Sequence, residues 1–488
     1  MNVNEFKEVK REQVSTLGFT KGQSKAYDVL IDFINNPYKD NKSKIALCGP
    51  AGTGKTYLVK ALIKNCNMSF SQIGIAAPTH KACRIISESI ELPNININTI
   101  QSDLGLRPNY DIDNFDENNI QFDPKGRIKI GDYRLYIIDE SSMLPSKLCN
   151  FLEKLCKDNK CKLIYIGDSY QLPPIKEASS YAFKGIEVLE LTEIVRQGDD
   201  NPVSHLCEML RYDIKHKTYT FIDFISRHRE IMNDSNTKGF KVCDFNEFNT
   251  YINLYFNDEQ ITKNVDFCKV ISFTNVNVTY WNNVIRNNII KDSDKSIITK
   301  NDLILSYTTI VDEYNSIILK NSEEYIINDI VNYTHPKYNL KGFLVNFQAI
   351  FGGQITDPLF ILDSSDKYSI MQYKNILDSL LASAKAASSV TRVSKWKEYF
   401  KFIESCLLLV NLGENAGGKL KLIKIRDLDY GFSLTSHKAQ GSTFDTVFVD
   451  VRDILYDKTG KIRTNCEFVN RVLYVAISRC KNKLYLNF

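Results

Sequence analysis

Residues 45–56 read IALCGPAGTGKT, and this stretch decides the fold. Its first four residues form an uninterrupted apolar run, which is typical of a strand buried on both faces of a parallel sheet. The eight residues that follow match the pattern G-x-x-x-x-G-K-[ST], which joins such a strand to the first turn of a helix. The glycines let backbone N–H groups close around phosphate oxygens, and the helix N-terminus favours negative charge. The predicted phosphate-binding loop therefore comprises Gly49, Pro50, Ala51, Gly52, Thr53, Gly54, Lys55 and Thr56.

A second apolar run, LYIIDE at residues 135–140, ends in two carboxylates. By itself this ending is common and indicates only a solvated strand end, just as a glycine-rich turn can bind nothing. Downstream of a phosphate loop it is the expected partner: Asp139 would support Mg²⁺, and Glu140 would orient and deprotonate the attacking water. Lys55 would reach the β- and γ-phosphates, and Thr56 would hold Mg²⁺. Together the two elements predict a nucleotide hydrolase that uses ATP and Mg²⁺.

The remaining chain repeats the alternation of short apolar runs and helical patterns. Between residues 44 and 191 this alternation predicts a parallel sheet with helices on both faces. It is interrupted over residues 107–132, where turn-forming and polar residues indicate a small exposed hairpin or loop rather than core. A second alternating region starts near residue 269, is broken after residue 301 by a β-rich and then a helical segment, and resumes near residue 446. The predicted fold class is therefore α/β, with an insertion in each of two parallel-sheet domains.

Five further segments place polar residues at the ends of predicted strands and helices. Taken in chain order with the two elements above, they resemble the motifs of superfamily 1 helicases, and their wording is most similar to the RecD-like branch. FTKGQ at 19–23 resembles the family's Q motif. INTIQS at 97–102 resembles its motif Ib, although the family usually has His where Gln101 stands. The five segments are APTHKA (77–82), GDSYQLPP (167–174), LTEIVRQ (191–197), SHKAQGS (436–442) and LYVAISR (473–479).

The resemblance covers nearly the whole chain but is weak between residues 302 and 418. It implies a P-loop NTPase with two RecA-like motor domains, compact as in a phage member of the branch, with a pin that would split the duplex. The implied boundaries are 1–106 with 133–190 for RecA-like domain 1A, 107–132 for pin insertion 1B, 191–301 with 430–488 for RecA-like domain 2A, and 302–429 for an SH3-like domain 2B with a helical extension.

The resemblance also implies roles at the nucleotide. Gln23 would recognise adenine, and Gly441 would lie against the nucleotide. Arg196 and Arg479 would be arginine fingers on the γ-phosphate, although a lone arginine is more often a surface or structural ion pair. The implied catalytic residues are Lys55, Glu140, Gln171, Arg196 and Arg479.

A further set of residues is implied to contact DNA, through phosphate-binding hydroxyls and backbone groups or through rings stacked on bases. For each histidine the alternative is a hydrogen-bonded structural role, and for Phe122 it is a loop aromatic packed on its own domain. Trp396 would dock the helical extension near the pin or lie in the core of an amphipathic helix. The implied DNA-binding residues are Pro78, Thr79, His80, Thr99, Phe122, Ser436 and His437.

The resemblance thus implies an ATP-dependent DNA helicase and translocase that moves 5′-to-3′ on single-stranded DNA by opening and closing its two motor domains. A superfamily 1 RNA helicase and an ATP-gated single-strand-binding protein are the alternatives. The implied partners are single-stranded DNA, forked duplex DNA and proteins of replication or recombination, and a monomer suffices for this architecture.

The length, net charge and cysteine content of the chain are compatible with a helicase but do not by themselves indicate one. The chain has 488 residues, enough for several subdomains, and a formal net charge of +4, which permits phosphate binding but does not argue for it. Its 12 cysteines form no metal-type pattern with its 6 histidines, so we expect reduced thiols, no zinc site and an intracellular, cytoplasmic location. The N-terminus has no apolar signal-peptide core, and no apolar run suggests membrane insertion.

Overall fold

The computed structural model describes residues 18–106, 126–175, 177–194, 201–258, 260–312, 314, 316–350, 352–416 and 419–488. The chain forms two compact units, Met1–Cys243 with Ser436–Phe488 and Asp244–Thr435. Phe122, Arg196 and most of the predicted pin lie outside the described residues. Among the described residues, no helix is both long and apolar enough to cross a membrane. The implied domain boundaries stay a prediction.

The first part of the first unit is a six-stranded sheet whose strands all run parallel, in the order β3-β2-β4-β5-β1-β6. The predicted α/β fold class is confirmed. The strands are β1 (Lys44–Cys48), β2 (Ile73–Ala77), β3 (Asn96–Thr99), β4 (Leu135–Ile138), β5 (Lys162–Gly167) and β6 (Val188–Glu190). The helices are α1 (Lys21–Asn35), α2 (Lys55–Asn65), α3 (His80–Ile90), α4 (Ile100–Asp103) and α5 (Ser146–Asp158).

The burial of these strands explains their continuous apolar sequence. Every residue of β2, β4 and β5 is buried, and only Lys44 of β1 is partly exposed. Helices therefore cover both faces, as the apolar runs predict. Because all six strands are parallel, the phosphate loop after β1 and the carboxylates after β4 lie at the same edge of the sheet, where ligands bind in open α/β sheets.

One part of the predicted exposed insertion is core. Ile130 is fully buried and packs in a cluster with Tyr133 and Tyr136, so the prediction that 107–132 lies outside the core is wrong for its last residues. The backbone N–H of Gly126 donates to the carbonyl of Gly105 at 3.1 Å, which joins a residue within the insertion to a residue just before it. Because most residues of this segment are polar or turn-forming, nothing in the sequence indicated that Ile130 packs in the core beside the sheet.

The chain continues with two helices and two short strands that still belong to the first unit. Strands β7 and β8 pair antiparallel. These elements are α6 (Pro202–His216), α7 (Thr220–Arg227), β7 (Glu230–Met232) and β8 (Gly239–Cys243).

The second unit carries the β-rich and helical segments that interrupt the second alternating region. Strand β9 (Cys268–Ser272) pairs parallel with β19 (Ser433–Thr435). A five-stranded sheet has the order β15-β14-β13-β10-β18, with antiparallel neighbours, and β11–β12 and β16–β17 are separate pairs. The strands between β9 and β19 are β10 (Leu303–Ser306), β11 (Ile310–Val311), β12 (Ile317–Leu319), β13 (Glu324–His335), β14 (Leu340–Ala349), β15 (Leu359–Leu362), β16 (Leu412–Ala416), β17 (Lys419–Lys424) and β18 (Leu428–Tyr430). The helices are α8 (Phe245–Phe256), α9 (Gln260–Lys263), α10 (Asn275–Ile289), α11 (Lys367–Ala386) and α12 (Arg392–Ser405).

Trp396 is half-buried on α12 rather than in a core. Its ring lies 5.8 Å from that of Phe400 at an interplanar angle of 29°, and 5.6 Å from that of Tyr399. Its contact with the pin stays a prediction.

The C-terminal segment returns to the first unit. Strands β20 (Phe444–Asp450) and β21 (Cys480–Asn487) pair parallel with each other, and β21 pairs parallel with β8. The helices of this segment are α13 (Ser436–Ala439), α14 (Val451–Leu455) and α15 (Cys466–Ser478). Eight residues of α15 are buried, which suits an apolar helix packed on several sides.

Candidate active site

The glycines of the phosphate loop are required by its backbone. Gly52 and Gly54 have φ of +83° and +76°, a left-handed conformation that only glycine adopts without cost. A Cβ at Gly49 would lie 2.8 Å from the carbonyl oxygen of Leu191, too close for any side chain. The loop is therefore built so that its backbone can approach a ligand closely.

The loop is braced from inside by its own side chains. Lys55 Nζ donates to the carbonyl oxygens of Gly49 at 2.6 Å and Pro50 at 3.0 Å. Thr53 is fully buried, and its Oγ1 donates to the Pro50 carbonyl at 2.9 Å. The ammonium group of Lys55 thus lies within the curve of the loop, beside the phosphate positions that the motif predicts.

Gln23 connects this loop to α1. It is 1 % exposed, its Nε2 donates to the carbonyl of Thr53 at 2.9 Å, and its Oε1 accepts from the Thr20 backbone at 3.0 Å. Thr20 Oγ1 in turn accepts from the Gln23 backbone, completing a capping box at the start of α1. Both polar atoms of the Gln23 side-chain amide therefore form hydrogen bonds within the protein. The contact of Gln23 with adenine stays a prediction.

Asp139, the first of the two carboxylates after β4, lies near the end of the phosphate loop. Thr56 and Asp139 line the same small cavity at the end of the sheet. Burial raises the pKa of Asp139, and the nearby charge of Lys55 lowers it. Hydroxyl and carboxylate oxygens are the ligands that Mg²⁺ prefers, so this donor set fits a magnesium ion bound with nucleotide phosphates.

Glu140 is held in an unusual conformation and environment. Its φ is +51°, and its Oε2 is out of contact with solvent, with no hydrogen-bond donor among the described residues. Burial first, and then the charge of Asp139, raises the pKa of Glu140 to about 7, while the charges of Arg479 and Lys55 lower it. A strained residue with an unpaired buried oxygen and a pKa near neutrality has the features of a general base.

Gly441 and Arg479 approach Glu140 from the C-terminal segment. A Cβ at Gly441, where φ is +74°, would lie 3.7 Å from Glu140 Oε1. Arg479 is 4 % exposed and donates to the carbonyls of Val475 at 3.1 Å and Ser442 at 3.2 Å. The guanidinium is therefore positioned close enough to act on the pKa of Glu140.

Gln171 lies in a network that crosses from β5 to the C-terminal helices. Its Oε1 accepts from Gln440 Nε2 at 3.3 Å, and Arg471 Nη1 donates to the carbonyls of Ser169 at 2.7 Å and Gln171 at 3.0 Å. Gln171 is thereby directed toward the segments that also carry Gly441 and Arg479.

The shortest hydrogen bond that joins these segments could not be predicted from the sequence. Tyr474 Oη donates to Asp168 Oδ2 at 2.6 Å, and both residues are nearly fully buried. The hydrogen bond raises the pKa of the Tyr474 hydroxyl further above the value set by burial and by the charge of Asp168. Asp168 lies in GDSYQLPP and Tyr474 lies in LYVAISR, and both segments resemble helicase motifs. That resemblance marked each residue as a candidate, but nothing in either segment indicates that the two side chains form a hydrogen bond with each other.

The predicted DNA contacts are distributed between buried and half-buried positions. Thr79 Oγ1 caps α3 by accepting from the Ala82 backbone at 3.2 Å, and Thr99 Oγ1 caps α4 by accepting from Ser102 at 3.3 Å. Pro78 is buried and His80 is half-buried. These residues stand at the starts of helices that follow parallel strands, so they share one edge of the sheet.

Ser436 and His437 begin α13. Ser436 is fully buried, so its side chain needs a local opening before it can touch a nucleic acid. Burial lowers the pKa of His437, which keeps its ring neutral at neutral pH and favours stacking or hydrogen bonding over charge pairing. All predicted DNA contacts stay predictions.

Fold and site together define a P-loop nucleotide hydrolase of α/β type. A family model described as an AAA domain matches residues 32–232. The chain is 26 % identical to the ATP-dependent DNA helicase Dda of Enterobacteria phage T4, over 94 % of this chain and 97 % of that protein. The ATP-dependent RecD2 DNA helicase of Deinococcus radiodurans is 27 % identical over 33 % of this chain and 20 % of that protein. These matches confirm the resemblance to superfamily 1 helicases related to Dda and to the RecD-like branch.

Two other proteins are similar to the chain over most of its length. Protein R530 of Acanthamoeba polyphaga mimivirus, which is uncharacterised, is 25 % identical over 96 % of this chain and 99 % of that protein. The crystal structure of the Pif1 helicase from Candida albicans is 17 % identical, covers 96 % of this chain and 95 % of that one, and has a TM-score of 0.47. Because this structural similarity is low, the relationship of the chain to helicases is supported by the sequence matches.

Proposed function

We propose that this ATP-dependent DNA helicase moves 5′-to-3′ along single-stranded DNA and unwinds forked duplexes. One observation carries the hydrolysis half of the proposal: Glu140, next to Asp139, has an unpaired buried oxygen and a pKa of about 7, and the charges of Arg479 and Lys55 act on it. The DNA half is supported by the relationship to Dda and RecD2, whose names describe DNA helicases. The 5′-to-3′ polarity is supported by the RecD-like motifs alone.

Hydrolysis follows from the placement of these groups. ATP phosphates would occupy the loop, where Lys55 would exchange its carbonyl partners for the β- and γ-phosphates. Glu140 would orient the attacking water and accept its proton, and Arg479 would offset the negative charge that develops on the γ-phosphate. Mg²⁺ held by Thr56 and Asp139 would neutralise part of the charge on the phosphate oxygens.

Movement would follow from the contacts, within the first unit, between the loop that follows β5 and the C-terminal segment. Gln171 and Asp168 belong to one side, and Gln440 and Tyr474 belong to the other. A γ-phosphate gripped by Lys55 and Arg479 would favour a closed arrangement of these sides, and its release would favour an open one. If each side holds DNA with different strength in the two states, the cycle becomes directed movement.

The test is strand displacement on forked DNA carrying either a 5′ or a 3′ single-stranded tail. We expect ATP-dependent displacement with the 5′ tail and little with the 3′ tail. Displacement from the 3′ tail alone would refute the polarity. Comparison of ATP hydrolysis stimulated by DNA and by RNA oligonucleotides separates a DNA helicase from an RNA helicase, and hydrolysis without displacement on either fork would indicate an ATP-gated single-strand-binding protein.

A further inference from the structure

A cavity in the first unit is lined by the start of the phosphate loop and by a mixture of apolar, polar and basic side chains. Pro50 and Ala51 form the loop side, while Arg211 of α6, Ser478 of α15 and Lys481 of β21 face them. Neither Arg211 nor Lys481 lies in a segment that resembles a helicase motif. The functional site described above makes no use of either cation.

This cavity adjoins the groups assigned to the γ-phosphate. Lys55 Nζ donates to the carbonyl of Pro50 at 3.0 Å, so the loop wall is in direct contact with the loop lysine. Arg479 Nη2 donates to Ser478 Oγ at 2.9 Å, so the opposite wall is in contact with the finger arginine. Arg211 and Lys481 therefore line a cavity whose other lining residues contact the two cations assigned to hydrolysis.

Arg211 is poorly neutralised for a side chain with so little exposure. Its side chain is 15 % exposed, and in the described part of the chain the carboxylate found within 4.0 Å is that of Glu208, which is itself 57 % exposed. Its guanidinium carbon lies 6.0 Å from the ring centroid of Tyr474, whose hydroxyl is directed to Asp168. A weakly paired guanidinium in a partly buried cavity gains more than an exposed one from binding a multiply charged oxyanion.

We propose that Arg211 contacts the terminal phosphate of the bound nucleotide, so that the cavity distinguishes a nucleoside triphosphate from a diphosphate. This proposal rests on the proposed function, because it requires ATP in the phosphate loop. Arg211 sits on α6, a helix packed on α15, which carries both Tyr474 and Ser478. Occupation of the cavity by a γ-phosphate would then hold α6 and α15 against the loop, and loss of that phosphate would release them.

Equilibrium binding of ATPγS and of ADP to the full chain, measured by titration calorimetry, tests the proposal. We expect Arg211→Gln to weaken ATPγS binding by roughly tenfold or more while leaving ADP binding within about twofold, because ADP lacks the phosphate that Arg211 would bind. Glu208→Gln is the matched control, since it removes the nearby carboxylate partner of Arg211 and leaves the guanidinium in place. It should leave both affinities within about twofold.

Three results would overturn the proposal: unchanged ATPγS affinity in Arg211→Gln, an equal loss for ATPγS and ADP, or the same loss in Glu208→Gln. Thermal melting of each variant checks that it folds, and Arg211→Lys, which keeps the charge, should recover part of the ATPγS affinity. Strand displacement by the unmodified chain is measured in parallel. Its absence would refute the helicase proposal, whereas the ratio of ATPγS to ADP affinity would still test the role of Arg211 separately.

Discussion

Replacement of Glu140 by glutamine separates the catalytic role of this carboxylate from its electrostatic cost to the folded protein. Glutamine keeps the shape and polarity of the side chain but can neither carry the charge nor accept the proton of the attacking water. We therefore expect Glu140→Gln to abolish DNA-stimulated ATP hydrolysis while retaining ATP binding. We also expect it to stabilise the nucleotide-free protein at alkaline pH and to leave its stability at acidic pH nearly unchanged.

The magnitude follows from the pKa. Burial and the charge of Asp139 raise the pKa of Glu140 from 4.5 to about 7. A folded-state pKa above the unfolded value means that the stability present below pH 4.5 is lost as the pH rises through 7, and each pKa unit corresponds to about 1.36 kcal/mol. The full cost of ionisation at pH 8 is thus roughly 3 kcal/mol, and the partial solvent exposure of the residue brings it to between roughly 1 and 3 kcal/mol.

The assay is thermal unfolding of wild type and variant at pH 5 and pH 8 without nucleotide. For a unit of this size, the expected gain in Tm at pH 8 is roughly 2–6 °C, with little gain at pH 5. Glu88→Gln is the control, because Glu88 is an exposed glutamate whose side chain is 65 % accessible, and its replacement should show no such pH dependence.

Two outcomes would refute the reasoning. A Tm change of equal size at both pH values would mean that Glu140 is not ionised at a cost in the folded protein. Survival of DNA-stimulated hydrolysis in the variant would mean that Glu140 is not the base.

Three further changes test other parts of the structure. Lys55→Ala should lower DNA-stimulated ATP hydrolysis by about a hundredfold or more, since it removes the phosphate-binding cation; turnover close to wild type would remove Lys55 from the mechanism. Tyr474→Phe should lower the free energy of unfolding by about 1.5–3 kcal/mol in a thermal or urea melt, because the buried Asp168 loses its 2.6 Å hydrogen bond, and an unchanged melt would contradict that contact. In the second unit, Lys269→Met should cost about 3–5 kcal/mol because Glu324, 3.0 Å from Lys269 Nζ, stays buried without its partner, and the double change with Glu324→Leu should recover most of that loss.

The sequence by itself determined the local elements. Short apolar runs that end in turn-forming residues predicted strands buried on both faces, and the glycine spacing of residues 49–56 predicted a phosphate-binding loop. Asp139 and Glu140 were predictable because parallel strands bring their carboxyl ends to one edge of a sheet. The resemblance across several motifs then supplied Gln171, Gly441 and Arg479 as members of the same site.

Tertiary structure alone decided which distant side chains meet. Asp168 and Tyr474 are 306 residues apart, and the order of the strands, which local patterns do not encode, brings them within hydrogen-bonding distance. The pKa of Glu140 likewise depends on burial and on charges from other elements. Arg211 belongs to an ordinary amphipathic helix, and it became a candidate phosphate ligand only when folding placed it across a cavity from Pro50 and Ala51. Periodicity and propensity describe neighbours along the chain, whereas charge and desolvation act through space.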